Sequence, residues 1–152
     1  MSLKEYLKTP LGIIKIKTFN KKLVEIKFLE SKNKYTNPYK PSKYYKYIKK
    51  FFSGKYVNNL DNLPMNGTEF QKKVWEEILL IPYGETRTYT DIAIAVGKPT
   101  AIRAVANACG RNNMAILIPC HRVIGKKNIG GYKWGLEKKI WLIELEKEIN
   151  LK

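Results

Sequence analysis

TYTDIAIAVGKPTAIRAVANACG, residues 88–110, reads as two short helices around a tight turn. TYTD (88–91) has the spacing of a capping box, in which a threonine and an acid three residues later accept each other's backbone N–H. TDIAIAV follows as a helix closed by Gly97. Pro99, at a first-turn position, opens a second helix, TAIRAVANAC, ended by Gly110. Two helices joined through Gly-Lys-Pro make a helix-turn-helix, a motif that carries its second helix to DNA.

A helix that reads sequence in the major groove presents Arg, Asn, Gln or Lys to base edges. This one presents mostly alanine, with Arg103 as its one long cation. Ala101, Ala104 and Ala108 fall on neighbouring turns. Either they pack two helices together, or they let the backbone lie close to a partner. With Arg103 among them, the second reading gives sequence-independent contact in the narrow minor groove.

Outward from the motif, TEFQ (68–71) is another capping box. It opens a helix whose Phe70, Val74, Trp75, Ile78 and Leu79 share a core-facing stripe ended by IPYG. NNLDNLPMNG (58–67) reads as a linker between an N-terminal domain, 1–64, and a C-terminal domain, 65–152. Ahead of it, GIIKIKT (12–18) and LVEIKFL (23–29) flank FNKK as a hairpin. SKYYKYIKKFFSG (42–54) is a helix with Ser42 at its start and Gly54 at its end. The fold class is α/β: a small sheet-containing N-terminal domain, then a mostly helical C-terminal domain with the helix-turn-helix.

At 152 residues and 44% hydrophobic, the chain can fill a core. No apolar run approaches the roughly 20 residues of a membrane span, and MSLKEYLKTP lacks a signal peptide's apolar stretch. A soluble, cytoplasmic protein without a membrane partner is expected. Of the net charge of +16, residues 1–64 contribute 15 Lys against 4 acids, an excess of 11 that a solvated surface explains equally well. The arginines are more selective: all four (Arg87, Arg103, Arg111, Arg122) lie in one window, and the planar guanidinium suits phosphate and base contacts.

That window holds AILIPCHRVIG (115–125), which sets Cys120 beside the chain's single histidine, His121. The apolar run before Pro119 suggests a buried strand turning at the proline, with a largely buried thiol. Buried cysteine is commonly an inert small hydrophobe, but an adjacent imidazole and Arg122 favour a reactive thiolate. Strand neighbours point to opposite faces, so the chain must turn here or water must bridge the pair. One histidine and two cysteines cannot build a four-ligand zinc site unaided; no metal and no cofactor are expected, and both thiols should be free.

IPCHRV, preceded by RAVANACGRNNMAIL and followed by GGYKWGL, resembles the O6-alkylguanine-DNA alkyltransferases over residues 68–146. The resemblance implies an RNase H-like N-terminal domain and a monomeric repair protein acting on double-stranded DNA. It would take an alkyl group from O6 of guanine, and O4 of thymine, onto Cys120, once per molecule. His121, through a water, would be the base and Glu146 the carboxylate orienting it, although ELEKE (144–148) alone reads equally as a solvated helix face. Asn112 would brace the turn before the cysteine. Arg103 would be a finger in the base stack, on a helix whose Ala101 and Ala104 approach DNA. Tyr89 would help rotate the nucleotide and protonate the leaving guanine. Tyr132 and the backbone carbonyls of Cys120 and Val123 would line the base pocket. Lys133 and Trp134 stand where some relatives carry small residues, which narrows the adduct that fits. Cys109 would be a bystander.

Two rivals use the same residues. A non-catalytic helix-turn-helix DNA-binding protein would keep its function without Cys120, whereas a cysteine hydrolase would turn over an ester or amide without DNA, given an oxyanion hole and a held histidine.

Overall fold

The computed structural model describes residues 1–30, 38–55 and 59–150. The chain divides into two compact units, Met1–Pro64 with Asn113–Leu117, and Met65–Asn112 with Ile118–Lys152.

In the first unit, β1 (Ser2–Thr9), β2 (Gly12–Phe19) and β3 (Lys22–Leu29) form an antiparallel sheet in that order. The expected hairpin is β2–β3, closed by Asn20 and Lys21, both at positive φ (49° and 66°), as tight two-residue hairpin turns require. Lys17 pairs with Glu25 but Thr18 with Leu23, so Val24 is an extra, bulged residue. The inward face of β3 therefore runs Leu23, Ile26, Phe28 instead of strictly alternating. β1 goes beyond the expected hairpin; two of its three buried residues, Glu5, Leu7 and Thr9, are polar. The Glu5 carboxylate accepts the Ser42 backbone N–H at 2.8 Å, and Ser42 in turn caps α1 (Lys43–Phe52), the helix expected there. Ile26 also bridges in parallel to Met114.

The second unit contains α2 (Glu69–Leu79), β4 (Arg87–Thr88), α3 (Tyr89–Ala95), α4 (Ile102–Gly110), a single 3₁₀ turn (Cys120–Arg122), β5 (Val123–Ile124) and α5 (Leu136–Asn150). Both capping boxes form, Thr68 with Gln71 and Thr88 with Asp91. Val74, Trp75 and Ile78 of the α2 stripe are buried, and the Trp75 indole N–H donates to the Ala108 carbonyl at 2.9 Å. Residues 59–67 carry no helix or strand; Asn58, where the expected linker starts, lies outside the described residues.

Two expectations are corrected. Pro99 is not in the first turn of α4, which starts at Ile102 with Ala101 as its N-cap residue and no side-chain cap; the proline sits in the connecting turn. Residues 115–118 are a turn and bend, not a buried strand, with Ile116 at φ 72°. The apolar run is buried all the same, and a short buried apolar segment cannot be assigned by pattern alone. Among the described residues no helix is long and apolar enough to cross a membrane.

A buried thiol and a buried histidine–carboxylate pair

Cys120 opens the 3₁₀ turn, where its N–H donates to the Ile118 carbonyl at 2.8 Å and the Arg122 N–H to Pro119 at 2.9 Å. This turn lets Cys120 and His121, neighbours in sequence, address different surroundings. The thiol is 4% exposed. Asn112 fixes it from the end of α4: its side-chain N–H₂ donates to the Ile118 carbonyl at 2.9 Å and to Cys120 Sγ at 3.2 Å. The expected brace is thus also a direct contact to sulfur. Burial and the neighbouring Cys109 push the thiol well up, and Asn112 pulls it back only in part. The resting sulfur is therefore protonated, contrary to the thiolate that the adjacent cations suggest, and needs a base to activate it.

His121 is wholly buried, with Nε2 2.5 Å from Glu146 Oε2. Burial lowers its pKa against the pull of Glu146 and keeps the ring neutral. Glu146 lies on the inward face of α5. Burial opposes its ionisation, but His121 and then Arg122 prevail and hold the carboxyl at about 2. Arg122 Nε donates to Glu146 Oε1 at 2.7 Å, Nη2 to Oε2 at 3.1 Å and Nη1 to the Ile81 carbonyl at 2.9 Å; the Gly84 N–H adds a bond to Oε1 at 3.1 Å. A carboxylate so constrained holds the imidazole in one orientation.

Cys120 lines a pocket of about 280 Å³ together with Tyr89, Cys109, Gly131, Tyr132 and Lys133. Burial raises Tyr89 to about 12, so its phenol stays a proton donor. A Cβ at Gly130, where φ is +75°, would stand 2.6 Å from the Tyr89 hydroxyl, so the loop closes on this ring only with glycine there. Tyr132 stands edge-on to both His121 and Trp134, with centroids 6.5 and 5.4 Å away. Lys133 Nζ donates to the Asn112 carbonyl at 3.0 Å. Val123 is buried in β5, and neither it nor Trp134 lines the pocket. On α4, Arg103 and Ala104 are exposed, and its N-cap residue Ala101 is half-buried, whereas Ala108 is buried and bonded by Trp75; the alanines thus divide between the two readings.

Arg122, expected as a cation for DNA or for the thiol, is instead buried on Glu146, and Lys139 is the polar group that pattern reading missed. Lys139 has no exposed surface. Its Nζ donates to the Gly131 carbonyl at 2.7 Å, lies 3.4 Å from the Tyr89 hydroxyl and sits 5.6 Å from that ring's centroid. Burial brings it down to about 8.

The second unit thus combines a helix-turn-helix, a thiol at a pocket wall and, next to it in sequence, a buried histidine–carboxylate pair. Residues 69–148 match the 6-O-methylguanine DNA methyltransferase, DNA binding domain. The chain is 50% identical to the "Probable methylated-DNA--protein-cysteine methyltransferase" of Acanthamoeba polyphaga mimivirus, over 95% of this chain and 96% of that one. It is 41% identical to the methylated-DNA--protein-cysteine methyltransferase of Methanosarcina barkeri, over 97% and 98%. The Mycobacterium tuberculosis O6-methylguanine methyltransferase structure superposes with a TM-score of 0.84 at 35% identity, covering 97% of this chain and 94% of that one. The structure of Mycobacterium tuberculosis OGT in complex with DNA gives 0.84 at 36%, covering 96% and 93%. The chain belongs to the methylated-DNA--protein-cysteine methyltransferase family.

Proposed function

We propose that this protein repairs DNA by moving an alkyl group from O6 of guanine, and from O4 of thymine, onto Cys120 Sγ, once per molecule. The observation that carries the reading is the buried Cys120 thiol, hydrogen-bonded by Asn112 at a pocket wall and followed in the same turn by His121, which pairs with Glu146. A base within a duplex cannot bring O6 to a buried sulfur, so the nucleotide rotates out, at a cost of a few kcal/mol that a weakly paired lesion lowers. His121 takes the thiol proton through a water. Sulfur then forms a bond to the alkyl carbon as the carbon–O6 bond breaks, and Tyr89 supplies a proton to the leaving guanine. The acceptor machinery and the DNA contacts lie in residues 65–152, with Arg103, Ala101 and Ala104 of the helix-turn-helix meeting the minor groove. The protein acts as a monomer in the cytoplasm, with access to chromosomal DNA. Incubation with duplex bearing labelled O6-methylguanine transfers the label to protein and stops at one methyl group per molecule; continued turnover would contradict single use.

Phosphate contacts dominate such binding, so affinity falls steeply with salt and varies little with sequence. Arg103→Ala is expected to slow repair of duplex much more than reaction with free alkylguanine base, measured as paired rate constants. Equal losses on both substrates would remove the finger assignment. Lys139 acts through Tyr89 as a positioning residue. As pH rises through about 8 its ammonium is lost, so the wild-type transfer rate should fall there, and Lys139→Met should lack that step. An unchanged step in the variant would show that another group titrates.

A further inference from the structure

Cys109 takes no part in alkyl transfer as proposed, yet it is a second nucleophile in the acceptor's own pocket. It sits in the last turn of α4 and is half-buried, so small solutes reach it more readily than they reach Cys120. Both cysteines line the same cavity, and the Cys109 thiol acts on that of Cys120. The buried Lys139 ammonium is close enough to act electrostatically on both sulfurs, and Asn112 donates to one of them. Thiols that share one cavity can meet in exchange once a base has taken the proton.

We propose that Cys109 and Cys120 are a redox pair that closes to a disulfide under peroxide and reopens under thiol reductants. Cys109 sulfur attacks a peroxide oxygen, the O–O bond breaks, and water leaves with the thiol proton, giving a sulfenic acid. Cys120 sulfur then attacks that sulfur, the S–O bond breaks, a second water leaves, and one disulfide stands for two thiols and one peroxide. The bond blocks the acceptor but keeps it below the sulfinic acid, from which thiols do not recover it. For a protein that can react only once, recoverable storage of the nucleophile is a gain in working life.

The test treats full-length wild type and Cys109→Ala with graded hydrogen peroxide, then divides each sample between dithiothreitol and buffer. Peptide mapping without reduction should find the Cys109-to-Cys120 linked pair in wild type. Methyl-acceptor activity, normalised to each protein's untreated value, should fall with peroxide and return with dithiothreitol in wild type. In Cys109→Ala the dithiothreitol-recoverable fraction should disappear. Absence of the linked pair, or an equal recoverable fraction in both proteins, would overturn the proposal. The activity readout rests on the proposed function, but the linked peptide does not. An untreated wild type that accepts no methyl group while still forming the pair would count against the repair reading alone.

Discussion

In the Cys120→Ala protein, alkyl transfer is expected to fall below detection while affinity for duplex DNA is retained. Cys120 Sγ is the sulfur that receives the Asn112 hydrogen bond at the pocket wall, and it opens the turn that carries His121. Cys109 lines the same cavity, but the Asn112 hydrogen bond goes to Cys120, so Cys109 should not take over as acceptor. Alanine in place of a small buried thiol costs about 1 kcal/mol of stability, too little to unfold a domain of ordinary stability. The exposed face of α4 with Arg103 is untouched. Parallel methyl-transfer and gel-shift assays read both halves. Transfer that survives would move the acceptor to another residue, and binding that is lost with transfer would mean that the substitution damaged the fold.

The second large effect belongs to Glu146→Gln. The substitution removes the charge that holds His121 and leaves Arg122, 3% exposed, without its carboxylate. Breaking a buried pair in this way costs about 3 to 5 kcal/mol, and misplacing the base should slow transfer by roughly a hundredfold or more. The stability effect has a signed pH dependence. The folded carboxyl, at about 2, lies below its ordinary 4.5. Its contribution is thus full above about pH 4.5 and is lost as pH falls from there through about 2, an order of 3 kcal/mol in all. His121, kept neutral by burial, loses stability with the same sign as pH drops below about 6.5, but it does so in both proteins. Urea melts of wild type and Glu146→Gln at pH 7 and pH 3 should show a gap that narrows in acid. A gap independent of pH would mean that the carboxylate charge does not stabilise the pair.

These two residues were unequally legible in the sequence. Cys120 announces itself in IPCHRV, and the capping boxes at Thr68 and Thr88 locate their helices because a local hydrogen-bond pattern has a local spelling. Glu146 and Lys139 have no such spelling. Both face inward on α5, where they blur the division between apolar and charged faces and leave the helix almost without sidedness. Only the family resemblance singled out Glu146, and nothing singled out Lys139, whose partners Tyr89 and Gly131 are distant in sequence. β1 was hidden for a related reason: Glu5 and Thr9 replace apolar residues on its inner face because Glu5 serves the start of α1. The bulge at Val24 shifts a register that depends on strand pairing, and Pro99 misplaced the start of α4 because the proline fits a connecting turn as well as a first turn. Features encoded by neighbours could be read from the chain, and those encoded by tertiary partners could not.

The most direct test is peptide mass spectrometry of the protein after incubation with duplex DNA carrying O6-methylguanine, with Cys120→Ala alongside. A stoichiometric methyl group on the Cys120 peptide, matched by loss of the lesion from DNA and absent from the variant, is the expected result. An unmodified Cys120 in protein that has bound the duplex would contradict alkyl transfer and leave a DNA-binding protein in its place.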